Sequence, residues 1–80
     1  MADIRVAPEL WASSMMPEGI LERWFVVDGA TVMDGDKVAE VRVEDALHEL
    51  VAPCAGRLVI SANADDLVEP GTVIGCVVAS

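Results

Sequence analysis

The heptad VMDGDKV at residues 32–38 recurs as VEPGTVI at residues 68–74. Both copies follow the pattern V-x-x-G-x-x-[VI], in which the glycine supplies a turn conformation that bulkier residues resist. Upstream of each copy, Gly19-Ile20-Leu21 matches Gly56-Arg57-Leu58 after a slip of one residue. The repeat predicts two similar four-strand units packed face to face, a flattened sandwich with the N- and C-terminal strands in one sheet.

Short runs rich in Val, Ile and Leu, separated by turn formers, predict that the whole chain is all-β. Within residues 39–44, apolar and charged side chains alternate with period two, which gives a strand one apolar and one charged face. A helix over residues 44–51 is the competing interpretation, but this segment has only eight residues and Pro53 follows closely. The predicted strands cover residues 4–6, 21–27, 37–43, 48–52, 57–61 and 72–78.

Composition limits the possible classes of protein. The chain has 80 residues, which indicates a single domain, and it carries 14 acidic against 5 basic residues, a formal charge of −9. Such an acidic chain does not suit a nucleic-acid binder, which needs clustered Lys and Arg. No segment approaches the roughly 20 apolar residues of a membrane span, and no signal peptide is visible. With two cysteines and no disulfide pattern, we expect a reduced cytoplasmic protein.

Residues 43–47 have no counterpart in the repeat and lie between its two copies. They are predicted to form the tip of a hairpin that joins the strand at 37–43 to the strand at 48–52. A tight turn there would present Glu44 and Asp45 to solvent.

Three runs in a fixed order resemble the biotinyl/lipoyl-attachment domains: GDKVAEV at 35–41, VAPCAGRL at 51–58 and VEPGTVI at 68–74. The first third is similar to the same family through Pro8, PEGIL at 17–21, Trp24 and Asp28-Gly29. This resemblance extends from about Ile4 to Val78. It implies one biotinyl/lipoyl-like domain over residues 1–80, folded as a barrel-sandwich hybrid of two pseudo-symmetric four-stranded antiparallel sheets.

The resemblance also indicates where a cofactor would be attached. Family members carry lipoic acid or biotin on a lysine at the hairpin tip, eight residues before the proline of an Ala-Pro-x-x-Gly element. Counting back from Pro53 gives Asp45, so Glu44-Asp45-Ala46 occupies the recognition site of the tip. Residues 38–80 contain no lysine, and Lys37 is interpreted as an ordinary exposed residue at the start of a strand. The expectation is therefore that no cofactor is attached.

The resemblance implies a non-catalytic carrier domain. Because the attachment lysine is absent, we expect the domain to act as a protein-interaction module for a 2-oxoacid dehydrogenase- or carboxylase-type system. Its expected partners are acyltransferase, decarboxylase or carboxylase components, or the attaching ligase. Residues 10–16 match a variable surface loop of the family, and there Trp11, Met15 and Met16 are candidate partner contacts. The alternatives are a working carrier modified at a non-standard site such as Lys37, and a purely structural assembly domain.

Other reactive side chains suggest no separate chemistry. His48 is the only imidazole near Glu44, Asp45 and Glu49, which argues against a metal site, and no nucleophile is paired with a base. The thiols of Cys54 and Cys76 are expected to be buried and inert, and Trp24 is expected to pack in or beside the core.

Overall fold

The computed structural model describes residues 1–8 and 18–79. Within these ranges the chain forms eight β-strands, which pair exclusively antiparallel. The strands are β1 (Ala2–Arg5), β2 (Gly19–Trp24), β3 (Thr31–Val32), β4 (Lys37–Val43), β5 (Ala46–Val51), β6 (Gly56–Ile60), β7 (Leu67–Val68) and β8 (Val73–Val78).

The strands form two four-stranded sheets, as the family resemblance implied. The terminal sheet has the order β1-β8-β6-β3, and the hairpin sheet has the order β5-β4-β2-β7. The terminal strands β1 and β8 are neighbours in one sheet, which confirms that part of the prediction. The two halves of the chain do not form one sheet each, however. Because β3 pairs with β6 and β7 pairs with β2, each sheet takes two strands from each half.

A core of aliphatic side chains fills the space between the sheets. In each sheet the central strands place a leucine opposite a valine on the inner face: Leu21 pairs with Val41, and Leu58 pairs with Val77. All four side chains are fully buried. The complete buried apolar set is Ile4, Val6, Leu21, Val32, Val38, Ala39, Val41, Val43, Ala52, Leu58, Val68, Ile74 and Val77.

The repeat is visible in the backbone hydrogen bonds of its turns. Gly35 and Gly71 have φ of 87° and 85°, a region that side chains disfavour. Each glycine amide donates to the carbonyl one residue past the end of a strand: Gly35 N–H to Ala52 O, after β5, at 3.0 Å, and Gly71 N–H to Val6 O, after β1, at 2.8 Å. The sequence repeat therefore specifies the same turn twice.

The alternative of a helix over residues 44–51 is wrong, because this segment is a turn followed by β5. Trp24 packs against the core, partly buried, and its indole Nε1–H donates to Ala62 O at 2.9 Å. The part of the chain that the structure describes contains no helix long and apolar enough to cross a membrane.

The expectation of buried thiols is wrong for both cysteines, which are partly exposed. Cys54 still packs against the core. Cys76 lies next to the fully buried Val77, and neighbouring strand residues point to opposite faces, so its side chain lies on the outer face of the terminal sheet. There it is flanked by its pairing partners Asp3 and Val59.

Candidate functional site

The hairpin tip is a two-residue turn formed by Glu44 and Asp45. Val43 pairs with Ala46 directly beneath the turn, and both turn residues and Ala46 are exposed. Val43 belongs to β4 and points into the core, with only 3% of its surface exposed. The predicted tip therefore exists, and the buried valine at its base fixes which residues protrude.

Glu44 adopts a left-handed backbone conformation, with φ of 56°. Two-residue turns between antiparallel strands favour a positive φ, because turns of this kind match the right-handed twist of the strands. A residue with a Cβ pays about 1 kcal/mol or more for this conformation. The pairing of β4 with β5 over most of both strands holds the turn in place.

Lys37 lies at the opposite end of the same hairpin. It is the first residue of β4 and pairs with Val51, the last residue of β5. The strand rise places it about 20 Å from Val43 at roughly 3.3 Å per residue. Its Nζ lies 3.2 Å from Glu49 Oε2, and 64% of the side chain is exposed. The amine is accessible to solvent but remote from the tip.

His48 and Glu49 are adjacent in β5 and so point to opposite faces of the hairpin sheet. His48 pairs with the buried Val41, whereas Glu49 pairs with Glu40 on the charged face. Within residues 1–8 and 18–79, no three His, Cys, Asp or Glu side chains come together in a way that could hold a metal ion. The loop residues Trp11, Met15 and Met16 lie outside the described residues.

A shallow groove of about 220 Å³ lies beside the tip, on the outer side of the hairpin sheet. Ile20 and Leu67 supply its apolar surface, and Glu44 connects it to the turn. The sequence alone did not predict this groove. The alternation over residues 39–44 did, however, indicate that Arg42 points outward, towards the face where the groove lies. The groove is lined by Glu18, Gly19, Ile20, Arg42, Glu44 and Leu67.

Comparison with known proteins identifies the family. A family described as "Biotin-requiring enzyme", that of the biotin/lipoyl domains, matches residues 10–77, which is most of the chain. The chain belongs to the biotin/lipoyl-attachment domain family. Domains of this family are carriers and are not themselves catalytic.

The fold of this biotin/lipoyl domain is also that of a solved lipoyl domain. The solution structure of the lipoyl domain of the 2-oxoglutarate dehydrogenase complex from Azotobacter vinelandii superposes with a TM-score of 0.79. The alignment covers 98% of this chain and 96% of that one, at 19% sequence identity. At that identity the likeness shows the shared fold. The search of curated proteins found no match to the sequence of this chain.

Proposed function

We propose that this biotin/lipoyl domain carries no lipoyl or biotinyl arm and acts as a protein-interaction module. The observation that supports the proposal is the turn itself, where Glu44 and Asp45 are the two protruding residues. Attachment of either cofactor forms an amide with a primary amine. A carboxylate at position 45 has no amine and cannot form this bond.

The position of Lys37 supports the same conclusion. Residues 38–80 contain no lysine, so Lys37 is the nearest side-chain amine to the turn. It lies at the far end of the hairpin, with Glu49 beside its ammonium group. A ligase that recognises a hairpin tip would meet carboxylates there instead of a nucleophile.

The proposed partners belong to a 2-oxoacid dehydrogenase- or carboxylase-type system: an acyltransferase, a decarboxylase, a carboxylase component or the attaching ligase. The formal charge of −9 favours a partner with a basic surface, since complementary charge raises the rate of encounter. In this role the domain contributes binding and no chemistry of its own.

The proposal is tested most directly by measuring the intact mass of the protein purified from its native host. The mass calculated for the unmodified chain is the expected result. A mass increase equal to a lipoyl or biotinyl group would contradict the proposal. Peptide mapping would then show whether Lys37 is the modified residue, as in the alternative of a carrier with a non-standard site.

The importance of position 45 is tested by the Asp45→Lys variant. Incubated with a lipoate ligase or a biotin ligase, this variant should gain the mass of one cofactor, because the turn would present an amine to solvent. Asp34→Lys is the matched control, since it introduces a lysine in another exposed turn. Equal modification of both variants would show that the tip is not a specific attachment position, and modification of neither would show that the hairpin has diverged in more than one residue.

A further inference from the structure

A row of outward-facing side chains crosses all four strands of the hairpin sheet close to its tip. Arg42 pairs with Leu47 on one side and with Ile20 on the other, and Ile20 pairs with Leu67. These four residues are called the outer row. Leu47 and Leu67 at its two ends are 55% and 65% exposed. Two large apolar side chains thus stand in solvent on the same face as the groove.

The next row of the same face is polar and satisfied internally. Arg23 forms an ion pair with Glu40, with Nε 3.3 Å from Oε1, and Lys37 forms one with Glu49, with Nζ 3.2 Å from Oε2. This polar row separates the apolar row beside the turn from Val51, which is 51% exposed at the far end of the hairpin. Singly exposed apolar residues need no explanation, but neighbouring ones that line a groove are typical of interaction sites.

The size of the groove limits what can occupy it. Pockets for small molecules and cofactors enclose about 300–1,000 Å³. At about 220 Å³ and open to solvent, this groove suits a protruding side chain of another protein.

The charges around the groove indicate which residues of the partner would flank the bound side chain. Glu18 and Glu44 line the groove together with Arg42, and the Arg42 Nε lies 3.4 Å from Oε2 of Glu22, which is outside the groove lining. The lining thus carries two carboxylates and one guanidinium, and Glu22 already contacts that guanidinium, so the rim around the apolar floor is acidic. An anionic lipid surface would be repelled by such a rim, whereas a cationic segment would be attracted to it.

We propose that the groove and the outer row bind a segment of a partner protein in which an aliphatic side chain is flanked by Lys or Arg. The aliphatic side chain packs against Ile20 and Leu67, and a flanking cation lies against the acidic rim at Glu18. This inference deepens the proposed function, on which it rests, by giving the interaction module a surface and a partner chemistry.

Three short synthetic peptides of equal length test the surface by NMR titration of the whole chain. One alternates lysine with leucine, the second alternates glutamate with leucine, and the third alternates lysine with serine. The lysine–leucine peptide should shift the amide resonances of Ile20, Arg42 and Leu67 in a saturable manner. The other two peptides should not. Saturable shifts on the terminal sheet, equal shifts with the lysine–serine peptide, or no saturable shift would overturn the proposal.

Variants then separate the groove from the rest of the surface. Leu67→Ser should raise the Kd of the lysine–leucine peptide at least about tenfold, because the peptide loses an apolar contact. Glu18→Lys should raise it several-fold by placing a cation at the rim. Val59→Ser is the matched control, since Val59 is 36% exposed in the other sheet, and it should leave the Kd unchanged. An unchanged Kd in both groove variants would contradict the proposal.

Failure of the docking surface and failure of the proposed function give different experimental results. A lipoyl or biotinyl group on the native protein would contradict the proposal that the domain carries no arm. The peptide titrations would still decide whether the groove binds a partner segment. An unmodified protein whose groove does not bind the lysine–leucine peptide would overturn only the docking surface.

Discussion

The terminal sheet and the hairpin sheet have equivalent residues on their inner faces and different residues on their outer faces. Leu21 opposite Val41 in the hairpin sheet corresponds to Leu58 opposite Val77 in the terminal sheet. On the outer side, however, Ile20 between Arg42 and Leu67 corresponds to Arg57 between Val78 and Thr31. The shared core keeps the inner faces alike because buried side chains must interlock. The outer faces are free of this constraint, and there the two sheets differ in what they can bind.

The two sheets also differ in how their outermost strand pair is connected. In the hairpin sheet, β4 and β5 are joined by the turn at Glu44 and Asp45. In the terminal sheet, the equivalent pair is β8 and β1, which come from the two ends of the described chain. Only one of the two equivalent strand pairs therefore presents a closed tip to a partner.

The largest expected effect tests whether the inner faces are energetically equivalent. Leu21→Ala and Leu58→Ala should each lower the free energy of unfolding by about 3 kcal/mol, because both remove a fully buried side chain and leave a cavity. Urea denaturation of both variants would measure the losses, and we expect them to agree within about 1 kcal/mol. A loss below half of its counterpart in either variant would break the equivalence of the two sheets.

A smaller effect is expected at a place where the inner faces differ. Gly75 in β8 corresponds to Ala39 in β4, and a Cβ at Gly75 would lie 2.7 Å from Val59 O and 3.2 Å from Trp24 Cη2. Gly75→Ala should therefore destabilise the domain by about 1–3 kcal/mol through overpacking. The control Ala39→Gly should lose about 0.5–1 kcal/mol, from backbone entropy and the missing methyl group. Thermal denaturation compares the two, and a stabilised Gly75→Ala variant would contradict the close contact.

The smallest effect is expected at a pair of equivalent turns. Gly29 and Asp65 both have positive φ, 88° and 74°, but only one of them is a glycine. Asp65→Gly should stabilise the domain by less than about 1 kcal/mol, because glycine adopts this conformation without steric cost. The reverse change, Gly29→Asp, should destabilise it by a similar amount. If both variants shift the urea midpoint in the same direction, the two turns are not equivalent.

Several features of the fold and the site were predictable from the sequence because they depend on residues close together in the chain. The glycines of the repeat specify local turns, and period-two alternation specifies which side chains of a strand are buried. The hairpin tip followed from the segment 43–47 that the repeat leaves unmatched. The strands Thr31–Val32 and Leu67–Val68 were not predicted as strands, since two residues show no periodicity. Cys76 was assigned to the interior because its strand is apolar on both faces.

The sequence by itself determined the repeat, the apolar composition of the inner faces, the tight turn at Glu44 and Asp45 and the absence of lysine from residues 38–80. Only the tertiary structure decided that each sheet combines strands from both halves, and that Leu47, Arg42, Ile20 and Leu67 share one row beside the tip. The physical reason is that neighbours in a sheet are chosen by hydrogen bonds between distant segments. Local patterns determine which face a side chain occupies, but the register between strands determines which side chains it meets.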